Sequence, residues 1–224
     1  MKKDNHLLAR YGVATLGLVL VAFGVALSLK SNLGTAPISC PPAVFNLKWT
    51  HNSVGTFTWM MHIILILFQL VLLRRKFKLS YLMQSPAAFV FGYLCDAAIW
   101  TCSFFEIHTY LGQMLLCLAA VVLTAVGLRI EILGNAWMIA GDQTIVVLSE
   151  VTGAKMSNVK ICFDVFMVAA AVIFALVVFG RFDGDGTHAI VREGTLILAV
   201  LTGLCMKVTD PWVDRLFPRF AHGR

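Results

Sequence analysis

Residues 32–47, NLGTAPISCPPAVFNL, lie between two long apolar segments and decide how the chain can fold. The stretch is too apolar for an ordinary surface loop, and its glycine and three prolines exclude one continuous helix. After Pro42 about two helical turns can form, far fewer than the ~20 residues that cross a bilayer. Broken backbone at membrane depth is tolerated only inside protein or beside an aqueous cavity. We therefore predict a short re-entrant helix here; a helix lying on the membrane surface is the alternative.

A second broken stretch, GNAWMIAGDQTIVVLSE, occupies residues 134–150 and again lies between two apolar segments. Moving the first stretch along the chain until Asn32 falls on Asn135 also places Pro37 on Ala140. Few residues are identical, so the pairing depends on spacing and hydropathy. Two related stretches of this kind indicate the internal repeat and discontinuous helices of many transporters.

The composition is that of a membrane protein. Hydrophobic residues make up 59% of the 224 and charged residues only 13%, against about 45–50% and a quarter in soluble domains. The net charge of +6 does not indicate nucleic-acid binding, because the basic residues cluster at the ends of apolar segments. The N-terminal apolar segment is too long for a cleaved signal and is expected to be retained.

Six membrane spans are predicted, at residues 11–29, 57–73, 82–101, 110–128, 159–179 and 195–208, the last ended by Pro211. If the N-terminus is cytoplasmic and neither broken stretch crosses, 14 of the 18 Lys and Arg residues lie inside, and Lys30, Lys48, Arg181 and Arg192 lie outside. This distribution follows the positive-inside rule and puts both termini in the cytoplasm. Three crossings in each half give the halves opposite orientations. We therefore predict an all-α protein with an inverted 3+3 repeat, residues 1–108 followed by residues 109–224 with an interfacial tail.

Three segments resemble a known family. They are LSLKSNLGTAP at residues 27–37, the second broken stretch with its aspartate, and REGT at residues 192–195. Together they are similar to the YczE/YyaS/YitT family of bacterial integral membrane proteins, over most of the chain. LGTAP and REGT are the specific parts, whereas Ala140 stands where related sequences tend to carry proline. The resemblance implies a membrane protein of the bacterial plasma membrane and no established substrate.

Polar residues of the two broken stretches and of the start of the last span are the candidate substrate contacts: Asn32, Thr35, Ser39, Asn135, Asp142, Gln143 and Arg192. Asp142 is the foremost of them, because unwound backbone beside it should face a cavity. Its alternative role is the N-cap of a helix at residues 143–148. Arg192 offers a planar set of donors to an anion, and its alternative is an outward loop arginine.

Ionisable residues near or inside the predicted spans are candidates for an ion or proton pathway: His62, Asp96, Asp164 and Glu193. Such a group costs about 2.5–3.5 kcal/mol at the centre of a span, so each requires a reason. For His62 and Asp164 the alternative is that each reaches water or headgroups from near a span end. For Asp96 it is a structural ion pair or polar cap, and for Glu193 a favourable interaction with the helix dipole.

Enzyme signatures such as HExxH, GxSxG and Walker A are missing from the sequence, and the six cysteines form no CxxC pair. We expect no enzyme, no cofactor, no metal and no nucleic-acid partner. The leading expectation is a secondary transporter for a small polar or anionic metabolite, with the bilayer and that solute as its partners. A non-transporting accessory or scaffold protein that binds a partner or lipid is the alternative, and an intramembrane enzyme is third. A cavity with polar groups would favour transport.

Overall fold

A computed structural model of the chain describes residues 2–74, 77, 82, 84–105, 107, 109–134, 139–154, 156–181 and 190–218. In these parts the chain forms α-helices and one 3-10 turn, Pro37–Ser39, and no strand. The helices are α1 (Lys2–Ser31), α2 (Cys40–Lys48), α3 (Val54–Leu73), α4 (Gln84–Cys102), α5 (Tyr110–Gly134), α6 (Ala140–Thr152), α7 (Met156–Phe179) and α8 (Glu193–Leu216). The prediction of an all-helical protein is confirmed.

Four of these helices contain a segment long and apolar enough to cross a membrane: Ala9–Ser31, Val54–Leu73, Tyr110–Gly134 and Asn158–Phe179. A shorter apolar segment, Glu193–Met206, opens α8. The outward faces are strongly apolar, as the exposed fractions of Val71 (70%) and Val177 (80%) illustrate. Contiguous exposed apolar surface of this kind is unusual in soluble monomers. The fold is consistent with a multi-pass membrane protein, and the six-span count stays a prediction.

The centre of the fold is the pair α1 and α5, which pack against each other more extensively than any other two described helices. Glycines let their backbones approach closely. A Cβ built on Gly17 would lie 2.7 Å from the Gly127 carbonyl oxygen and 2.9 Å from Glu131 Cα. Small residues at a helix interface are typical of membrane proteins, in which close backbone packing drives association.

The other helices are arranged around this pair. Helix α4 packs on α1 and on α3, and α8 packs on α5. The short helices α2 and α6 each contact both α3 and α7. Each short helix is therefore held between longer helices, which positions the broken stretches inside the protein.

Two helices continue beyond the predicted span ends. Helix α5 continues past Arg129 and Glu131 to Gly134, because the Arg129 guanidinium forms bonds of 2.6–2.9 Å with the Asp214 carboxylate of α8. Such a bidentate pair neutralises both charges and joins the two helices. Helix α8 continues through Pro211 to Leu216.

Candidate functional site

The first broken stretch has a buried start. The 3-10 turn leads into α2, whose first turn contains Pro41 and Pro42. Proline is tolerated there because the first N–H groups of a helix have no intrahelical acceptor. The first five residues of α2 are buried, and Ser39 in front of them is only 7% exposed. No side-chain hydrogen bond caps this helix start.

The second broken stretch forms α6, which begins at Ala140 with Ile139 at the N-cap position. The alternative in which Asp142 is the N-cap of a helix at residues 143–148 is therefore wrong, since Asp142 lies in the first turn. Capping comes instead from α5: the Ile139 N–H donates a hydrogen bond of 3.0 Å to Glu131 Oε1. This frees the Asp142 carboxylate for another role.

The two broken stretches meet. A Cβ built on Gly141 of α6 would overlap Ile38 Cδ1 of the first stretch and would lie 4.0 Å from His62 Cε1 of α3. Gln69 of α3 strengthens the same junction, because its Nε2 donates to the Ala140 carbonyl (3.0 Å) and to Thr144 Oγ1 (2.8 Å). Gln69 is fully buried, so these bonds form away from water, where leaving them unmade would be costly.

A cavity of about 120 Å³ lies at this junction. Helices α1, α3, α4, α5, α6, α7 and α8 and the 3-10 turn all contribute to its wall. Most of the lining is apolar, and its polar side chains are Ser39, Thr58, His62, Thr124, Asp142, Lys160, Asp164 and Thr202. A largely apolar pocket with a few convergent polar groups is the usual form of a small-molecule site.

His62 lies in the wall of the cavity and is 2% exposed. Its ring contacts Phe91 edge-on, with centroids 6.0 Å apart. Its Nδ1 has no hydrogen-bond partner among the described residues. The alternative in which His62 reaches water or headgroups does not fit this burial. A buried nitrogen beside a cavity is instead available to a ligand or to water.

Three charged groups meet in the same cavity. Lys160 Nζ lies 3.2 Å from Asp164 Oδ2, one turn along α7, and Asp142 lines the cavity from α6. Burial raises the pKa of the Asp142 carboxyl; the positive charge of Lys160 lowers this pKa, and the negative charge of Asp164 raises it. Asp142 is half-buried, and its accessible surface faces the cavity.

Four predicted site residues belong to a different junction, between the first broken stretch and α8. The Thr35 N–H donates to the Ile190 carbonyl at 3.1 Å, and the Gly194 N–H donates to the Leu33 carbonyl at 2.7 Å. Thr35 is fully buried and its hydroxyl bonds that of Ser28 at 2.8 Å. The LGTAP and REGT segments therefore pack on each other.

Arg192 and Glu193 lie at the exposed side of this junction. Their side chains pair at 2.8 Å, and Arg192 Nη1 donates to the Asn32 carbonyl at 3.4 Å. Glu193 lies in the first turn of α8, as its structural alternative predicts. Asn32, Thr35, Arg192 and Glu193 are all absent from the described cavity lining, and their substrate and pathway roles stay predictions.

Asp96 has the structural role considered as its alternative, that of a polar cap. Its carboxylate accepts hydrogen bonds from the Gly55 N–H (2.8 Å) and from the Ser53 hydroxyl (2.5 Å) at the start of α3. It therefore joins α4 to the N-terminus of α3, apart from the cavity. Gln143 is half-buried on α6 without lining the cavity, and Asn135 lies outside the described residues.

Sequence reasoning did not single out Glu131, Lys160 or Gln69. Lys160 carries a weak signal, since it precedes Asp164 by four residues, the spacing of a helical ion pair. Glu131 sits among apolar residues at what was taken for a span end, and only its burial (2% exposed) reveals it. Gln69 has no local signal, because its partners on α6 lie more than 70 residues away.

The described residues were compared with the ligand sets of metal sites. No group of three or more His, Cys, Asp or Glu side chains there is placed to hold a metal ion. The six cysteines are free, and four of them are buried. The carboxyls, imidazole and amine that line the cavity can bind a solute and exchange protons.

The fold and the cavity define an all-helical protein, consistent with a multi-pass membrane protein, with a buried site where two broken stretches meet. The model of DUF6198, a family of unknown function, matches residues 8–211, and the chain belongs to this family. Neither the curated proteins nor the solved structures contain a match. The matched range includes both LGTAP and REGT, and the resemblance to the YczE/YyaS/YitT family stays a prediction.

Proposed function

We propose that this protein is a secondary transporter that moves a small polar or anionic metabolite across the bacterial plasma membrane. One observation carries the proposal: Ser39 and Asp142, at the starts of two broken helices, line a single cavity. Discontinuous helices that meet at one site are the usual binding-site architecture of secondary transporters. Backbone of this kind at membrane depth needs protein or a watery cavity around it.

The proposal includes six spans in an inverted 3+3 repeat, re-entrant helices α2 and α6, and both termini in the cytoplasm. The packing pattern supports it. In the repeat α1 corresponds to α5, α2 to α6, α3 to α7 and α4 to α8. The contact of α1 with α4 then corresponds to that of α5 with α8, and the contact of α2 with α7 to that of α6 with α3. The relation to the YczE/YyaS/YitT family is part of the same proposal.

The charges in the cavity limit how a solute can bind. The start of α6 presents N–H groups and the positive end of its dipole, which favour an anion or a carbonyl oxygen. Helix α2 adds only its dipole, because Pro41 and Pro42 have no N–H. Lys160 adds a full positive charge, but Asp142 and Asp164 oppose it. An anionic group therefore binds best when Asp142 carries a proton, a state that its raised pKa favours. The free His62 Nδ1 supplies a further hydrogen-bonding position.

The second candidate function is an accessory or scaffold protein that binds a lipid or a partner without transport. The apolar majority of the cavity lining favours it, because an acyl chain needs no polar contacts. The gathering of His62, Asp142, Lys160 and Asp164 in one small space favours transport. An acyl chain would offer no partner to the three charges or the imidazole.

The test compares metabolites inside cells and in the medium with the wild-type protein, without it, and with Asp142→Asn. Asparagine keeps the size of the side chain but removes its titrating charge. Transport predicts a solute whose distribution depends on the protein and returns to that of protein-free cells in the variant, at unchanged protein abundance. Glu150→Gln, at the exposed far end of the same helix, is the matched control. Full activity of Asp142→Asn would remove this residue from the site, and no protein-dependent solute would favour the scaffold function.

A further inference from the structure

Glu131 is a buried acid that the proposed transport site does not use. It lies near the end of α5 and is 2% exposed. Helix α1 closes the space beside it: a Cβ on Gly17 would lie 2.9 Å from Glu131 Cα. An ionised carboxylate without a full set of partners is strongly disfavoured in such surroundings. A buried acid at this position therefore calls for a functional explanation.

The two oxygens of this carboxyl are in different situations. Oε1 accepts the hydrogen bond from the Ile139 N–H at the start of α6. Oε2 has no hydrogen-bond partner among the described residues. One oxygen thus holds the helix start, and the other is available to carry a proton.

The helices around Glu131 bring different charged groups towards it. The Asp142 carboxyl lies in the first turn of α6, the helix whose start is bonded to Glu131. Arg129, two residues earlier on α5, is occupied by Asp214 of α8. Helix α1 presents Gly17 and Ala14 to the end of α5.

Asp142 in turn is influenced by Lys160 and Asp164 of α7 and shares the cavity wall with His62 of α3. The single cation of this group is paired with Asp164. The buried Glu131 and the half-buried Asp142 therefore both lie at the start of α6, and the nearby cation is already paired, which leaves too little positive charge to keep both carboxyls ionised. Two interacting acids of this kind titrate as a pair.

We propose that Glu131 and Asp142 together hold one exchangeable proton, which couples the cavity to the proton gradient. Asp142 faces the cavity and takes the proton from hydronium, leaving water; Glu131, behind the first turn of α6, shares it with Asp142. The proton returns to water when the pair ionises, and no electrons move. This inference rests on the proposed transport function and names its coupling ion.

The hydrogen bond to Ile139 gives the proton a structural effect. An ionised Glu131 accepts a charge-assisted bond, which is about twice as strong as a neutral one. Protonation weakens this bond and loosens the first turn of α6. Asp142, which lines the cavity, belongs to this turn. The protonation state of Glu131 therefore sets the position of a substrate-facing residue.

The test is an infrared pH titration of the purified full chain in lipid nanodiscs without any added solute. The C=O stretching band of a protonated carboxyl is followed in the wild type, Glu131→Gln, Asp142→Asn and the exposed control Glu150→Gln. The difference spectra of wild type minus Glu131→Gln and of wild type minus Asp142→Asn should contain a titrating band that the difference spectrum for Glu150→Gln lacks. Glu131→Gln should shift the remaining Asp142 titration to lower pH, because a neighbouring negative charge is removed.

Identical titrations of wild type and Glu131→Gln would overturn the inference. Glutamine can still accept the Ile139 N–H, so this variant keeps the cap; if it does not fold, Glu131→Asp provides the second comparison and should displace the band without removing it. Vesicle assays separate the two proposals. Proton binding without any metabolite movement would contradict transport and leave the proton site standing. Metabolite transport that does not depend on a pH gradient, together with identical titrations of wild type and Glu131→Gln, would contradict the proton site and leave the transport proposal standing.

Discussion

Gly141 of α6 lies directly against Ile38 of the first broken stretch, so closely that a Cβ on Gly141 would overlap Ile38 Cδ1. Two segments about a hundred residues apart in sequence thus share one contact. They also share one cavity, since Ser39 and Asp142 both line it. The contact connects the two halves of the chain at the site proposed for the substrate.

The first prediction tests this contact by cross-linking. Ser39→Cys and Asp142→Cys, combined in a background without the six native cysteines, should be joined by a reagent spanning about 10–15 Å, one or two helix diameters. The reaction is read as a mobility shift after the loop between them is cut. A control pair, Lys48→Cys with Glu150→Cys, carries the cysteines at the far ends of α2 and α6 and should not react. Free labelling of Ser39→Cys and Asp142→Cys without any cross-link would contradict a shared cavity.

The second prediction tests the inverted repeat. Lys48 and Glu150 are exposed near the ends of α2 and α6, and the charge distribution predicts that they lie on opposite sides of the membrane. Single cysteines introduced as Lys48→Cys and Glu150→Cys should therefore be labelled by a membrane-impermeant reagent from opposite sides of oriented vesicles. Labelling of both from one side would mean that a broken stretch crosses the membrane, and the inverted repeat would be wrong.

Local composition carries much of the fold. The prolines and glycine of residues 32–47 predict a broken helix whatever the tertiary packing, because proline restricts the backbone locally. The span ends were harder to predict for the opposite reason. Arg129 is tolerated within α5 because Asp214, 85 residues later, neutralises it. No local pattern contains that information.

The candidate site was likewise predictable from the sequence only in part. Ser39, His62, Asp142 and Asp164 were each singled out as polar groups in apolar surroundings, and all four line one cavity. Their convergence depends on how α3, α6 and α7 pack, which hydropathy does not specify. Thr35 is polar in an equally apolar stretch, yet its hydroxyl is bonded to Ser28 away from the cavity. The type of a polar side chain therefore does not show whether it bonds within the protein or faces a ligand.

The third prediction concerns Lys160. Lys160→Gln removes the charge that lowers the pKa of Asp142, so the infrared titration of Asp142 should move to higher pH. Stability should change little, by about 0.3–0.5 kcal/mol, because Lys160 is 49% exposed and a helical pair of this spacing is weak. Adding Asp164→Asn removes a negative charge and should move the titration back towards lower pH. A titration unaffected by both changes would separate Asp142 from this pair.

The fourth prediction distinguishes a cap from a pathway residue at Asp96. Asp96→Ala should lower the free energy of unfolding by about 1–2 kcal/mol, because the Gly55 N–H loses its acceptor at the start of α3. Asp96→Asn keeps one acceptor oxygen and should lose less. Thermal melting in detergent gives the comparison, and solute movement by the surviving variants should remain. Unchanged melting with lost transport would instead place Asp96 on a pathway.

The last prediction concerns the docking of the LGTAP segment on α8. Gly34 has a φ of +112°, and a Cβ there would overlap Thr195 Oγ1 and lie 2.9 Å from the Arg192 nitrogen. Gly34→Ala therefore meets both a disfavoured backbone conformation, about 1–2 kcal/mol, and overpacking, about 1–3 kcal/mol. Gly153→Ala is the control for a positive φ without a close contact, because Gly153 has a φ of +69° and nothing within 4 Å. The melting temperature should fall clearly further in Gly34→Ala than in Gly153→Ala. Equal falls would mean that close packing on Thr195 contributes nothing, and that the two segments carrying the family resemblance are not held together by this glycine.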